Sequence, residues 1–192
     1  MVETSSLTGQ LLIAMPGLAD PNFFRSVVLL GAHSTSDGAF GLVINRPRGV
    51  ALEEVLDELG TESPQRRLPE VLVGGPVEPS HGFVLFEQVD SLEPSEGDLE
   101  IDSQVRLSSD SETLSLLVSG QLNARFYLLL GYAGWHPGQL EREIEQNSWL
   151  VAPFDPSIVF DLDLDERWSA ALRSIGVEPG SLVDLGAGSD PS

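Results

Sequence analysis

The apolar positions of this chain change period along its length, and each change marks an element. Apolar runs at 10–15, 26–30, 40–45 and 71–73 end at Pro16-Gly17, Gly31, Arg46-Pro47 and Gly74-Gly75-Pro76. Short runs bounded by glycine and proline predict strands, and 81–86 adds a fifth. Several are apolar at nearly every position rather than every second one, which predicts that both faces are covered. Between the third and fourth runs, Leu52, Val55, Leu56 and Leu59 recur at i, i+3, i+4 and i+7. That stripe predicts a helix over 51–59, stopped by Gly60.

The second half repeats the mixture. Ser109 and Glu112 form a capping-box pattern before a helix over about 113–118. A strand at 125–130 leads into Gly131-Tyr132-Ala133-Gly134-Trp135-His136-Pro137-Gly138-Gln139-Leu140-Glu141, and the sequence runs on through Ile144 to Trp149-Leu150. Gly131 and Gly134 permit backbone angles closed to other residues, and Pro137 suits a helix start, so the stretch predicts strand, glycine turn, helix. A strand at 157–160 is expected next, then a last helix whose buried stripe is Trp168, Ala171, Leu172 and Ile175. The acidic stretch 87–97 is expected as a loop, and 186–192 as a frayed tail. No linker divides the chain, so residues 1–185 are expected to form one α+β domain.

Composition changes the picture in two ways. With 192 residues, 41% of them hydrophobic, the chain can bury a core, and no segment is long enough to span a membrane. The polar start, carrying Glu3 and no basic region, points away from export. There is no cysteine, which removes disulfides, thiolate nucleophiles and thiolate metal sites. Thirty acidic residues face ten basic ones, all arginine, for a net charge of −20. A GC-rich genome accounts for the missing lysine. The sharper alternative is a saline cytoplasm, since such self-repulsion is best tolerated where the Debye length is only about 3 Å. Either way, clustered cations for holding nucleic-acid phosphates are lacking.

Each candidate site residue has a plainer rival reading. Asn45 and Arg46 end a buried strand with an amide and a fork-shaped cation, suited to a carboxylate or phosphate; the rival is a strand-end turn with Arg46 paired to an acid. Gly74 and Gly75 can form a nest of amides for an anion, or a tight turn. His33 and His136 are candidate bases, or structural histidines in turns, while His81 is expected at the surface. Trp135 and Trp149 are expected to bury their rings with the indole N–H satisfied, and Gln139 and Glu141 either face a cleft or complement the helix dipole. Asp161, Asp163 and Asp165 alternate like a calcium loop, but Glu166 stands where glycine is needed, so Asp165 is expected to cap the last helix. No G-x-S-x-G elbow is present.

Three blocks, taken in order, resemble the YqgE/AlgH family of bacterial proteins. They are Gly9 to Pro16 with Asp20 to Val28, His33 and Gly41 to Pro47; Gly74 to Val77 with Gly82-Phe83; and Gly131 to Trp149 with Ala152-Pro153. The resemblance implies a branched β-sheet that includes a small closed barrel, with helices packed around it. It also implies a cytoplasmic location and no known reaction. Members are often labelled transcriptional regulators, although no DNA-binding motif underlies the label. Many members carry histidine where this chain has Phe86, so no metal site or general base can rely on that position here.

The resulting expectation is a regulatory or binding module for a small polar ligand or a protein partner. It has no expected catalytic residues, cofactor or metal, and no direct hold on DNA. Its cleft would lie where the turns bearing Asn45, Arg46, Gly74, Gly75, Trp135, His136 and Gln139 meet, with His33 nearby. The alternatives are an enzyme using His33 or His136 as general base, and a DNA-binding regulator. Self-association through an apolar face is left open.

Overall fold

The computed structural model describes residues 5–186. Nine strands form one sheet: β1 (Leu11–Ala14), β2 (Val27–Ser34), β3 (Gly38–Val43), β4 (Leu72–Val73), β5 (Val77–Glu87), β6 (Leu99–Glu100), β7 (Val105–Ser108), β8 (Phe126–Trp135) and β9 (Trp149–Ala152). The helices are α1 (Leu52–Glu58), α2 (Ser111–Ser119), α3 (Gln139–Glu145), α4 (Pro156–Phe160), α5 (Arg167–Ser174) and α6 (Pro179–Gly186). The sheet order is β6-β7-β5-β8-β3-β2-β1-β9, and β4 leaves this path to pair in parallel with β8.

The branch point is β8. Its first half pairs with β5, from Phe126 opposite Phe86 to Leu130 opposite Gly82, and its last three residues pair with β3 at Ala39, Phe40 and Gly41. Gly131 separates the two halves with φ +78°, a left-handed value that glycine adopts freely. A methyl group there would overlap the carbonyl of Gly75, and one on Gly75 would overlap the carbonyl of Tyr132. Glycine is needed at both positions because two backbones touch.

The continuous apolarity of β1 and β2 is explained by two cores. Leu11, Ile13, Val27, Leu29, Leu42 and Ile44 face one core, capped by Trp168, Ala171 and Leu172 of α5. The intervening Leu12, Ala14, Val28, Leu30 and Val43 face another, under Leu140 of α3 and Trp149. A third core joins α1 and α2 to β5 and β8, and Phe86 is fully buried there.

Several expectations are corrected. The sheet is not closed into a barrel: it curls until Leu99 lies near Gly31, but among the described residues edge strands β6 and β9 have no partner beyond β7 and β1. The segment 157–160 is helical, not extended. Pro156 occupies the first turn and the Asp155 carboxylate accepts from the Ser157 amide, so a good N-terminus captures a run too short to declare its own period. Gly31 does not end β2, which absorbs a register shift between Leu30 and Ala32 and continues to Ser34. Gly134 is no turn residue, because β8 runs straight through it to Trp135. Asp110, not Ser109, caps α2. Asp163, not Asp165, caps the 3-10 turn that leads into α5, in a reciprocal box with Glu166. Strands β6, β7 and β9 and helix α6 were not expected at all. Of the tail expected over 186–192, residues 187–192 lie outside the described residues.

Candidate functional site

The loop between β1 and β2 carries the most unusual backbone near the candidate residues. Asp20 starts it by accepting from the Asn22 amide, and Arg25 adopts φ +50°, rare for a residue with a side chain. The Asn45 amide brackets this bend: its Nδ2 donates to the Arg25 carbonyl at 2.8 Å, and its Oδ1 accepts from the Val27 amide at 2.9 Å. Arg46 donates one guanidinium nitrogen to the Asn22 carbonyl and another to that of Phe24. Asn45 and Arg46 therefore act together as the clasp of one loop. Arg46 bonds neutral carbonyls, not the acid that the plainer reading supposed.

The clasp points successive side chains in opposite directions. Phe23 turns inward, with its ring 5.5 Å edge-on from Trp149 and 6.2 Å from Trp135. Phe24 turns outward and is 58% exposed. The Arg25 guanidinium lies 5.1 Å over the Trp168 ring, within cation–π range. Between these groups is a hollow of about 270 Å³, lined by Arg25, Asn45, Arg46, Asp165, Trp168 and Ser169 among others. Among the described residues neither Arg25 nor Arg46 forms an ion pair.

Gly74 and Gly75 lie beside the same clasp through backbone pairing. The Val43 amide donates to the Gly74 carbonyl at 2.7 Å and the Val73 amide to the Arg46 carbonyl at 2.9 Å. The Gly74 amide is itself used by the Leu130 carbonyl, so it is not free for an anion.

Trp135, Gln139 and His33 gather at the start of α3 instead. Glu143 organises this end. Its Oε2 accepts from the indole N–H of Trp135 at 2.9 Å and of Trp149 at 2.8 Å, while Oε1 accepts from the Gln139 amide. Gln139 Oε1 in turn accepts from the backbone N–H of His136, whose ring is exposed. His33 is buried. Its Nδ1 accepts from the Leu7 amide at 3.0 Å, which places the ring proton on Nε2, and Nε2 lies 2.7 Å from Glu141 Oε1. Both ring nitrogens are thereby engaged. His81 is exposed and packs on Phe83.

Of the sequence candidates, the structure thus joins Asn45 and Arg46 with Gly74 and Gly75 along the β3–β4 backbone. It joins Trp135, His136 and Gln139 through Glu143. No residue of the Gly74–Gly75 or Trp135–Gln139 segments lines the Arg46 hollow. The link between the two groups is Phe23. Among the described residues, no set of three or more His, Asp or Glu side chains is placed to hold a metal, and no helix is long and apolar enough to cross a membrane. Glu143 and Arg25 were missed in the sequence. Glu143 was findable, four residues after Gln139 on one helix face; Arg25 gave no signal beyond its charge.

A family model described as AlgH-like matches residues 11–180. The chain belongs to the AlgH-like family. A UPF0301 protein of Magnetococcus marinus is 41% identical over 97% of this chain and 98% of its own length. One from Methylocella silvestris is 44% identical over 94% and 91%. The solution structure of the AlgH protein from Pseudomonas aeruginosa superposes with a TM-score of 0.74 at 37% identity, covering all of this chain and 98% of that one. A crystal structure of a Corynebacterium diphtheriae protein gives 0.67 at 26% identity, over 90% and 89%.

Proposed function

We propose that this protein is a cytoplasmic regulatory or binding module that seats a small carboxylate or phosphate at the Arg25–Asn45–Arg46 hollow. The observation that carries this reading is two arginines that form no ion pair among the described residues, beside one small cavity that Asp165 also lines, in a chain whose acids outnumber its arginines three to one. Guanidinium groups favour planar, bidentate recognition of such anions. The ligand would also act at a distance. An anion drawing on Arg46 competes with the carbonyls of Asn22 and Phe24, and so alters the seating of Phe23 between Trp135 and Trp149. A loop with two seatings is the kind of element whose population a ligand can shift.

The binding reading is favoured over general-base catalysis at His33 because the Nδ1 lone pair already accepts from the Leu7 amide. Direct hold on duplex DNA is disfavoured by the charge, so no retention is expected at physiological salt. The test is a titration with inorganic phosphate and with a small dicarboxylate, followed by amide shifts and tryptophan fluorescence. Saturable shifts at Arg25, Arg46 and Trp168 are expected, with at least about tenfold weaker binding in Arg25→Ala. Among the described residues the Arg25 side chain donates no hydrogen bond, so its loss should leave the fold intact. Unchanged spectra at high ligand concentration, or wild-type affinity in Arg25→Ala, would remove the proposal.

A further inference from the structure

The apolar stripe of α1 is only half used inside the molecule. Leu52 and Leu56 are buried, but Leu59 is 63% exposed and Val55 only partly covered. Both line an open groove of about 580 Å³ between α1 and α2, whose floor includes Leu114, Leu128 and Leu130. Three carboxylates, Glu54, Glu58 and Asp110, also line it, against the single cation Arg48. We infer that this groove docks a cationic amphipathic helix of a partner protein, its apolar face over Leu59 and Val55 and its basic residues toward Glu54 and Glu58.

Three features select that occupant. An apolar floor with acidic walls is complementary to a helix bearing leucine-type anchors and flanking lysine or arginine. The net charge of −20 speeds encounter with a basic segment and repels an acidic one. An added strand is disfavoured at the neighbouring wall. Pro79 there has no N–H to offer, and β5 breaks register between Val77 and Gly82, where Glu78 takes φ +45°. The site is separate from the Arg25–Arg46 hollow and does not depend on it.

The test uses the full chain and a fluorescently labelled helical peptide of alternating leucine and lysine faces, followed by anisotropy and by amide shifts at 0.15 M salt. Saturable binding is expected, with shifts confined to α1, the start of α2 and Val77–Gly82. Leu59→Ser leaves net charge unchanged and alters an exposed side chain, so it should fold, yet weaken binding by about tenfold, the weight of one buried leucine. Glu54→Gln with Glu58→Gln should weaken it comparably, and a serine-for-leucine peptide of equal charge should not bind. Equal affinity of wild type and Leu59→Ser would reduce the contact to non-specific charge and overturn the inference. So would a wild-type dimer in sedimentation that Leu59→Ser converts to monomer, because the groove would then belong to a second copy.

Discussion

Glu143 holds two indoles and a glutamine with one carboxylate, so its removal leaves the indole N–H groups of the buried Trp135 and Trp149 without their acceptor. Glu143→Ala is expected to lower unfolding free energy by about 2–4 kcal/mol in urea, since each buried unpaired donor costs about 1–3 kcal/mol. Glu143→Gln should cost less, because its carbonyl can still serve the two indoles while its amide opposes that of Gln139. Arg167 presents the opposite case. It is fully buried and forms no close ion pair among the described residues, donating instead to the Ile44 and Leu162 carbonyls and to the Tyr127 hydroxyl. Burial pulls its guanidinium below the usual range, partly offset by Tyr127. Such partners explain the limits of legibility at this scale. Asn45 and Arg46 stood out as a polar pair ending an apolar strand, but the carbonyls they hold belong to Asn22, Phe24 and Arg25. Backbone acceptors leave no trace in side-chain identity.

Among the elements, α2 offers a pH-sensitive anchor. The Asp110 carboxylate accepts from the amide of Glu112 and the hydroxyl of Thr113, and these bonds hold it below its usual range despite some desolvation. A depressed carboxylate contributes stability that is complete above its unfolded value near 3.8. That contribution is lost as pH falls through the lower folded value. Asp110→Ala is expected to cost about 1 kcal/mol at neutral pH, and Asp110→Asn to keep most of the cap while flattening the acid limb of the urea-midpoint curve below about pH 4. Gly75→Ala should be worse than either, because the added methyl meets the Tyr132 carbonyl rather than a movable side chain. A soluble Gly75→Ala with wild-type melting would show that the β4–β8 crossing can relax. The strands β1, β2, β3 and β5 were legible because apolar runs punctuated by glycine and proline leave little choice. The helix α4 was not, since Ile158-Val159-Phe160 fits either period and one capping aspartate decided it.

At the scale of the molecule, the acids form a surface that mostly repels itself. The described residues contain three arginine–carboxylate pairs, two of them made by Arg125 with Glu87 and Asp161 and one, at 3.9 Å, by Arg173 with Glu178. Raising KCl from low to molar concentration is expected to raise Tm, by about 2–4 °C for each kcal/mol of repulsion relieved in a chain of this size. A flat or falling profile would favour genome composition as the source of the lysine-free surface. The α+β class was readable from alternating strand and helix periods. That the sheet stays open was not, because its edge strand β6 is only Leu99 and Glu100, too short to carry a pattern.

Strand β8 has a temporal consequence for the nascent chain. During synthesis β3, β4 and β5 emerge well before residue 126, and each needs β8 as a neighbour. Until it leaves the ribosome, three ladders stand with vacant edges, and β1 waits longer still for β9. Domains with such late-arriving partners are exposed to mispairing in the interval. A slow or stalled ribosome between residues 90 and 125 should therefore leave this chain unusually dependent on chaperone cover, far more than its final stability would suggest.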